Sequence, residues 1–180
     1  MNMRKIILTL LTICLICFQM VSCSNRSKSA APAVTESSQT EAVADIAPDF
    51  SLPDLQGNTL SLSSLRGKYV VLDFWGSWCI WCIRGIPHMK EAYAKHKDRM
   101  EILGVDCQDT EDKWKAAVEQ YELPWLQVRC PDDKLSVLAK QYQIEGFPTK
   151  AVIDPEGHLL KIVSGEDPAF YTYLDELIAQ

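Results

Sequence analysis

Cys79 and Cys82, three positions apart, stand out from the chain's other cysteines by their setting. They follow the apolar, β-rich run Tyr69-Val-Val-Leu-Asp-Phe-Trp75 and open a stretch with a helical pattern. A helix N-terminus presents unpaired N–H groups and the positive end of the helix dipole, and both stabilise an anion. Cys79, the more N-terminal, takes that benefit and is expected to ionise more readily than a free thiol. Cys82 lies one turn further on, close enough to close a disulfide ring. The chemistry that fits is thiol–disulfide exchange, with the pair alternating between dithiol and disulfide. A purely structural disulfide is the plainer use of the same spacing. Half of a zinc site fits less well, because zinc needs four ligands. No second CxxC or paired histidine follows, and His88, His96 and His158 are scattered. No metal and no cofactor is expected.

The run Tyr69–Trp75 reads as a buried central strand, and a helix is expected from about Cys79 to Asp98, bent at Pro87. Glu101–Asp106 and Trp125–Arg129 read as further strands. A helix capped by Asp109 or Thr110 runs between them, through Tyr121. Asp132–Tyr142 reads as a helix. Thr149–Asp154 and His158–Val163 flank Pro155-Glu-Gly157, which suits a type I turn and hence a hairpin. A last helix spans about Asp167–Ala179, and the segment from Asp49 supplies one or two short strands. Strands alternating with helices and ending in a hairpin predict a mixed α/β sheet with helices on both faces.

The N-terminus is an address. Arg4 and Lys5 precede a 13-residue apolar run, Ile6–Phe18, whereas a helical bilayer span needs about 20. That describes a secretory signal. Cys14 and Cys17 fall within it and read as apolar filler. Met20-Val-Ser-Cys23 resembles a bacterial lipobox, whose cysteine is lipidated and becomes the first mature residue. The segments expected are a signal peptide over 1–22, a lipidated Cys23 with a flexible linker over 23–45, and a domain over 46–180. The linker is small and polar, and cannot bury enough surface to offset its ordering entropy. Net charge is −6 although two of the cations lie in the leader, which argues against a nucleic-acid partner. The domain is expected in the cell envelope, tethered to a membrane by the N-terminal lipid and facing the periplasm, where disulfides persist.

Several motifs together resemble the thioredoxin superfamily, specifically the TlpA/ResA-like extracytoplasmic thiol–disulfide oxidoreductases. They are Ala47-Pro-Asp-Phe-Ser-Leu-Pro-Asp-Leu-Gln-Gly57, Leu62-Ser-Ser-Leu-Arg-Gly-Lys68, Val70-Val-Leu-Asp-Phe-Trp-Gly-Ser-Trp-Cys79 and Gly146-Phe-Pro-Thr149. The resemblance implies a thioredoxin-like fold: a mixed central sheet with helices on both faces, an N-terminal β extension and a central insertion. It also implies protein thiol and disulfide substrates, and an upstream membrane thiol reductant to recycle the pair. Pro148 matches the family's cis-proline beside the cysteines, with Phe147 presenting its backbone to substrate. Asp73 matches thioredoxin's buried acid and would take the proton of Cys82. Trp78, Trp81 and Phe147 are candidate substrate contacts. Peroxidases of the related fold carry Pro-x-x-x-Thr-x-x-Cys, and here Leu72 and Gly76 stand at those positions. Two further departures matter. Ile80-Trp81 holds no cation that would strongly stabilise a thiolate, and Gly85 stands where many members have Glu. Arg84 is near enough in sequence to help the thiolate but is expected to face solvent.

Cys107 and Cys130 each follow a strand. If those strands are parallel neighbours, the two thiols reach the same sheet edge and either bond to each other or remain buried as small hydrophobes. The reading adopted is a membrane-tethered disulfide reductase. The alternatives are an oxidase or isomerase of the same fold, and a non-redox binding adaptor.

Overall fold

The computed structural model describes residues 45–179, so the expected signal peptide, Cys23 and nearly all of the linker lie outside the described residues. Tyr69–Trp75 forms the central strand, β3. β1 (Ser51–Pro53) and β2 (Thr59–Ser61) precede it as a small antiparallel pair, the expected N-terminal β extension. β4 (Met100–Cys107) and β5 (Leu126–Cys130) add parallel strands on one side of β3. β6 (Thr149–Ile153) and β7 (Leu159–Ser164) add antiparallel strands on the other. The order is β5-β4-β3-β6-β7.

β3 reads as an unbroken apolar run because both of its faces are covered. Val70, Leu72 and Phe74 point into one core with Leu103, Val105, Val128, Leu138 and Tyr142. Val71 points into the other, against Met89, Ala92, Phe170, Leu174 and Ile178. Helices α1 (Ile80–His96) and α4 (Pro168–Ile178) cover that second face, and α3 (Asp132–Gln141) covers the first. α2 (Glu111–Gln120) joins β4 to β5 and packs Trp114, Ala117 and Val118 against Trp75 at the carboxyl end of the sheet. Helices on both faces of a mixed sheet are the arrangement expected.

Local chemistry explains the element ends. Thr110, rather than Asp109, caps α2, its Oγ1 accepting from Lys113 N at 3.4 Å. Asp167 caps α4, with Pro168 in its first turn, where a missing N–H costs nothing. The β6–β7 turn closes with Gly157 N donating to Asp154 O at 3.0 Å, and Gly157 takes φ +95°, which suits glycine. Pro87 lies inside α1, yet the helix continues to His96; Met89 and Ala92 beyond it are buried against the sheet and hold the later turns.

Leu72 is fully buried on the central strand. Leu72→Ala is therefore expected to lower unfolding stability by about 2–5 kcal/mol, read as a fall in the urea midpoint.

Candidate active site

The carboxyl end of β3 turns through Gly76–Trp78 into α1. Cys79 is the N-cap of α1, and Cys82 N donates to its Sγ at 3.1 Å. Cys79 and Cys82 are bonded as a disulfide, with Cα atoms 5.2 Å apart. Both are buried, while the Ile80 and Trp81 side chains between them face outward.

The loop is braced from the end of β4. Asp109 accepts from Ser77 N at 2.6 Å and from Ser77 Oγ at 2.8 Å. Trp78 Nε1 donates to Cys107 O at 3.1 Å. A side chain at Gly76 would meet Cys107 O at 2.9 Å and overlap the Trp78 indole, so this approach requires glycine. Beside the loop, an open groove of about 680 Å³ is lined by Ser77, Trp78, Gln108, Asp109, Lys113 and Tyr121, among others.

Beneath α1 the sheet carries polar side chains. Strand alternation puts Asp73 on the face of Val71, and Asp73 is the direct register partner of Lys150 on β6. Lys150 is buried, with Nζ 4.0 Å from Asp73 Oδ1 and 2.8 Å from Glu166 Oε2. Asp73 Oδ1 is buried with no hydrogen-bond partner. Burial pushes the Asp73 carboxyl above the usual carboxylate range; Lys150 opposes this and Glu166 adds to it. Burial would also raise Glu166, but Lys150 and the Tyr171 hydroxyl hydrogen-bond to it and hold it below its ordinary value. Asp106 is fully buried and neither of its carboxylate oxygens has a partner. Burial, helped by the neighbouring Asp109, pushes it up to about 9, so it is protonated at neutral pH.

The other expected residues fall as follows. The Phe147–Pro148 peptide bond is cis, and Phe147 packs against the cluster that contains both active cysteines. The Trp78 and Phe147 rings meet edge-on at 5.3 Å. Trp78 and Trp81 are 50% and 56% exposed, enough to meet a protein substrate. Arg84 lies over the Trp81 ring at 4.8 Å, a cation–π contact, and is exposed to solvent. Cys107 and Cys130 are register partners at the ends of the parallel strands β4 and β5. They are free, buried thiols, not a second disulfide, and both lie in the apolar core. The Cys130 thiol and burial push the Cys107 thiol up, so it stays protonated and inert. Sequence reasoning missed Lys150, Glu166 and Asp106, and read Asp109 only as a candidate helix cap and not as the brace of Ser77. One clue was a lysine next to the apolar run Ala151–Ile153 within a strand. Among the described residues, no group of three or more His, Cys, Asp or Glu side chains could hold a metal ion.

Residues 43–162 match the AhpC/TSA family. The chain is 36% identical over 121 residues to a thiol-disulfide oxidoreductase ResA of Bacillus cereus, covering 67% of this chain and 68% of that protein. Among solved structures it is similar to the thioredoxin domain of a thiol-disulfide oxidoreductase from Bacteroides vulgatus. There the identity is 33%, the TM-score 0.70, and the match covers 76% of this chain and 98% of that one. A thiol:disulfide interchange protein from Bacteroides sp. matches at 32% identity and TM-score 0.70, over 77% and 91% of the two chains.

The raised Asp106 carboxyl has a measurable consequence. Between about pH 4 and pH 9 the folded protein keeps a proton that the unfolded chain releases, so stability from this group falls as pH rises through that window. Asp106→Asn removes the titration. Between pH 5 and pH 8 the variant is expected to lose less stability than the parent, by about 1 kcal/mol or more, measured by urea unfolding at both pH values. Equal losses would mean that Asp106 ionises freely in the fold.

Proposed function

The chain belongs to the AhpC/TSA family, and on that footing we propose that this thiol–disulfide oxidoreductase is a membrane-tethered reductase of disulfides in extracytoplasmic proteins. The observation that carries the direction is the setting of the Cys79 sulfur. Its hydrogen bond comes from a neutral backbone amide, that of Cys82. The intervening Ile80 and Trp81 carry no charge, and the Arg84 guanidinium lies over the Trp81 ring. Strong oxidants of this chemistry owe their potential to a stabilised reduced form. A thiolate supported mainly by a helix N-terminus gains less, which favours the disulfide and makes the dithiol a reductant.

In this reading the reduced protein docks a substrate segment across Trp78, Trp81 and Phe147, with the groove beside Trp78 taking flanking residues. The Cys79 thiolate attacks a substrate sulfur. The substrate S–S bond breaks, one substrate thiolate leaves, and a mixed disulfide forms. Cys82 passes its proton toward Asp73, directly or through water, and its sulfur attacks Cys79. That step forms the Cys79–Cys82 bond and releases the second substrate thiolate. Two electrons have moved from the cysteine pair to the substrate, and an upstream membrane thiol reductant returns them. A lipidated Cys23 would hold the domain at the membrane, facing the periplasm.

Equilibration with dithiothreitol or glutathione, followed through tryptophan fluorescence, measures the potential. A value near or below about −230 mV is expected, whereas about −120 to −180 mV would make the protein an oxidase or isomerase. Cys82→Ala is expected to accumulate the mixed disulfide on Cys79; normal turnover by this variant would exclude the mechanism. Globomycin is expected to accumulate the unprocessed precursor, and a normally processed soluble protein would remove the tether from the proposal.

A further inference from the structure

Gly85 lies on the buried side of α1, three residues past Cys82. The space a side chain would take there is filled from another part of the chain. A Cβ on Gly85 would overlap the carboxylate of Glu166, which follows β7 in the loop leading to α4. That carboxylate is firmly held. Lys150 Nζ donates to Oε2 at 2.8 Å, Tyr171 Oη donates to Oε1 at 2.6 Å, and His88 Nδ1 lies 3.6 Å from Oε1. The same ammonium is 4.0 Å from Asp73 Oδ1, a buried atom with no hydrogen-bond partner. One cation therefore serves two carboxylates and sits more than 1 Å closer to Glu166.

We propose that Glu166 is a positioning residue for the thiol–disulfide chemistry: seated in the room left by Gly85, it engages Lys150 and so leaves Asp73 able to accept and return the Cys82 proton. A carboxylate with an ammonium at full contact is held ionised and is a poor proton acceptor. Two carboxylates competing for one ammonium do not share it equally, and the one farther from it keeps the more basic oxygens. Glu166 takes the close contact, so Asp73 keeps its affinity for a proton. As the Cys82 sulfur attacks Cys79, its proton moves to the Asp73 carboxylate. When a reductant reopens the disulfide, the proton returns. The titratable and charged groups facing this pair are Lys150 from β6, Tyr171 from α4 and His88 from α1, while Cys107 of β4 lies on the opposite face of the sheet. The inference rests on Cys79–Cys82 exchange and not on its net direction.

Glu166→Gln keeps the shape and removes the competing charge. In the dithiothreitol-reduced protein, the Asp73 carboxyl followed by carbon-13 NMR is expected to titrate about one pH unit lower than in the parent. The rising limb of the pH profile for disulfide exchange is expected to shift the same way. A folded Glu166→Gln protein that still exchanges disulfides, with Asp73 titrating as in the parent, overturns this proposal and leaves the reductase reading standing. The double variant Gly85→Asp/Glu166→Ala returns a carboxylate to the same space from α1. It is expected to restore the parental Asp73 titration. A double variant that instead titrates like Glu166→Gln assigns the effect to the loop and not to the carboxylate, and overturns the proposal.

Discussion

The active site depends on one constraint: β3 is hydrogen-bonded along both edges, to β4 and β6, and buried on both faces. Its register cannot slip by one residue without turning Val70, Leu72 and Phe74 onto the wrong side. The point where the chain leaves β3 is therefore fixed, and with it the start of α1. Cys79 becomes the cap of that helix because of where the strand ends. The bracing from β4 then has a fixed target: Asp109 and the Cys107 carbonyl hold Ser77 and Trp78, so Cys79 follows a turn that is held in place.

The same register explains the charges under the helix. Direct pairing of β3 with β6 places Asp73 opposite Lys150 on the face that α1 and α4 cover. Burying ionisable groups is costly unless they are paired, and here the pairing is incomplete. Lys150 and Glu166 satisfy each other closely, while Asp73 and Asp106 keep buried oxygens without hydrogen-bond partners. Incomplete satisfaction lifts carboxyl pKa values, and a lifted carboxyl is one that can exchange a proton. The Cys79 sulfur itself accepts one backbone hydrogen bond at the helix end.

Cys107 and Cys130 show how neighbouring strands can mislead. The sequence left open whether the two strands are parallel neighbours; they are, and the two residues stand in register at one sheet edge. Adjacency alone does not make a bond. They lie in the same apolar core as Leu103, Val128 and Leu138 and behave as small hydrophobic residues with inert thiols.

Much of the fold was legible in one dimension because its causes are local or periodic. The apolar run Tyr69–Trp75 marked the central strand, Pro155-Glu-Gly157 marked the hairpin turn, and CxxC after a strand marked the redox pair. Each depends on residues close together in sequence. What escaped the sequence were contacts that join distant segments at a single point. Thr110 could be named as a cap, but that Asp109 would grip Ser77 follows only once β4 lies beside β3. Gly85 read as a missing side chain; only the folded chain fills that gap with a carboxylate from residue 166. Lys150 passed unremarked in its strand, and only the register that sets it opposite Asp73 gives it a role. Hydrophobic period and turn chemistry by themselves determined the elements and the reactive sulfurs. Tertiary structure alone decided which charges meet beneath them, because a buried ion pair is set by strand register and packing, and neither is encoded in the spacing of the residues that form it.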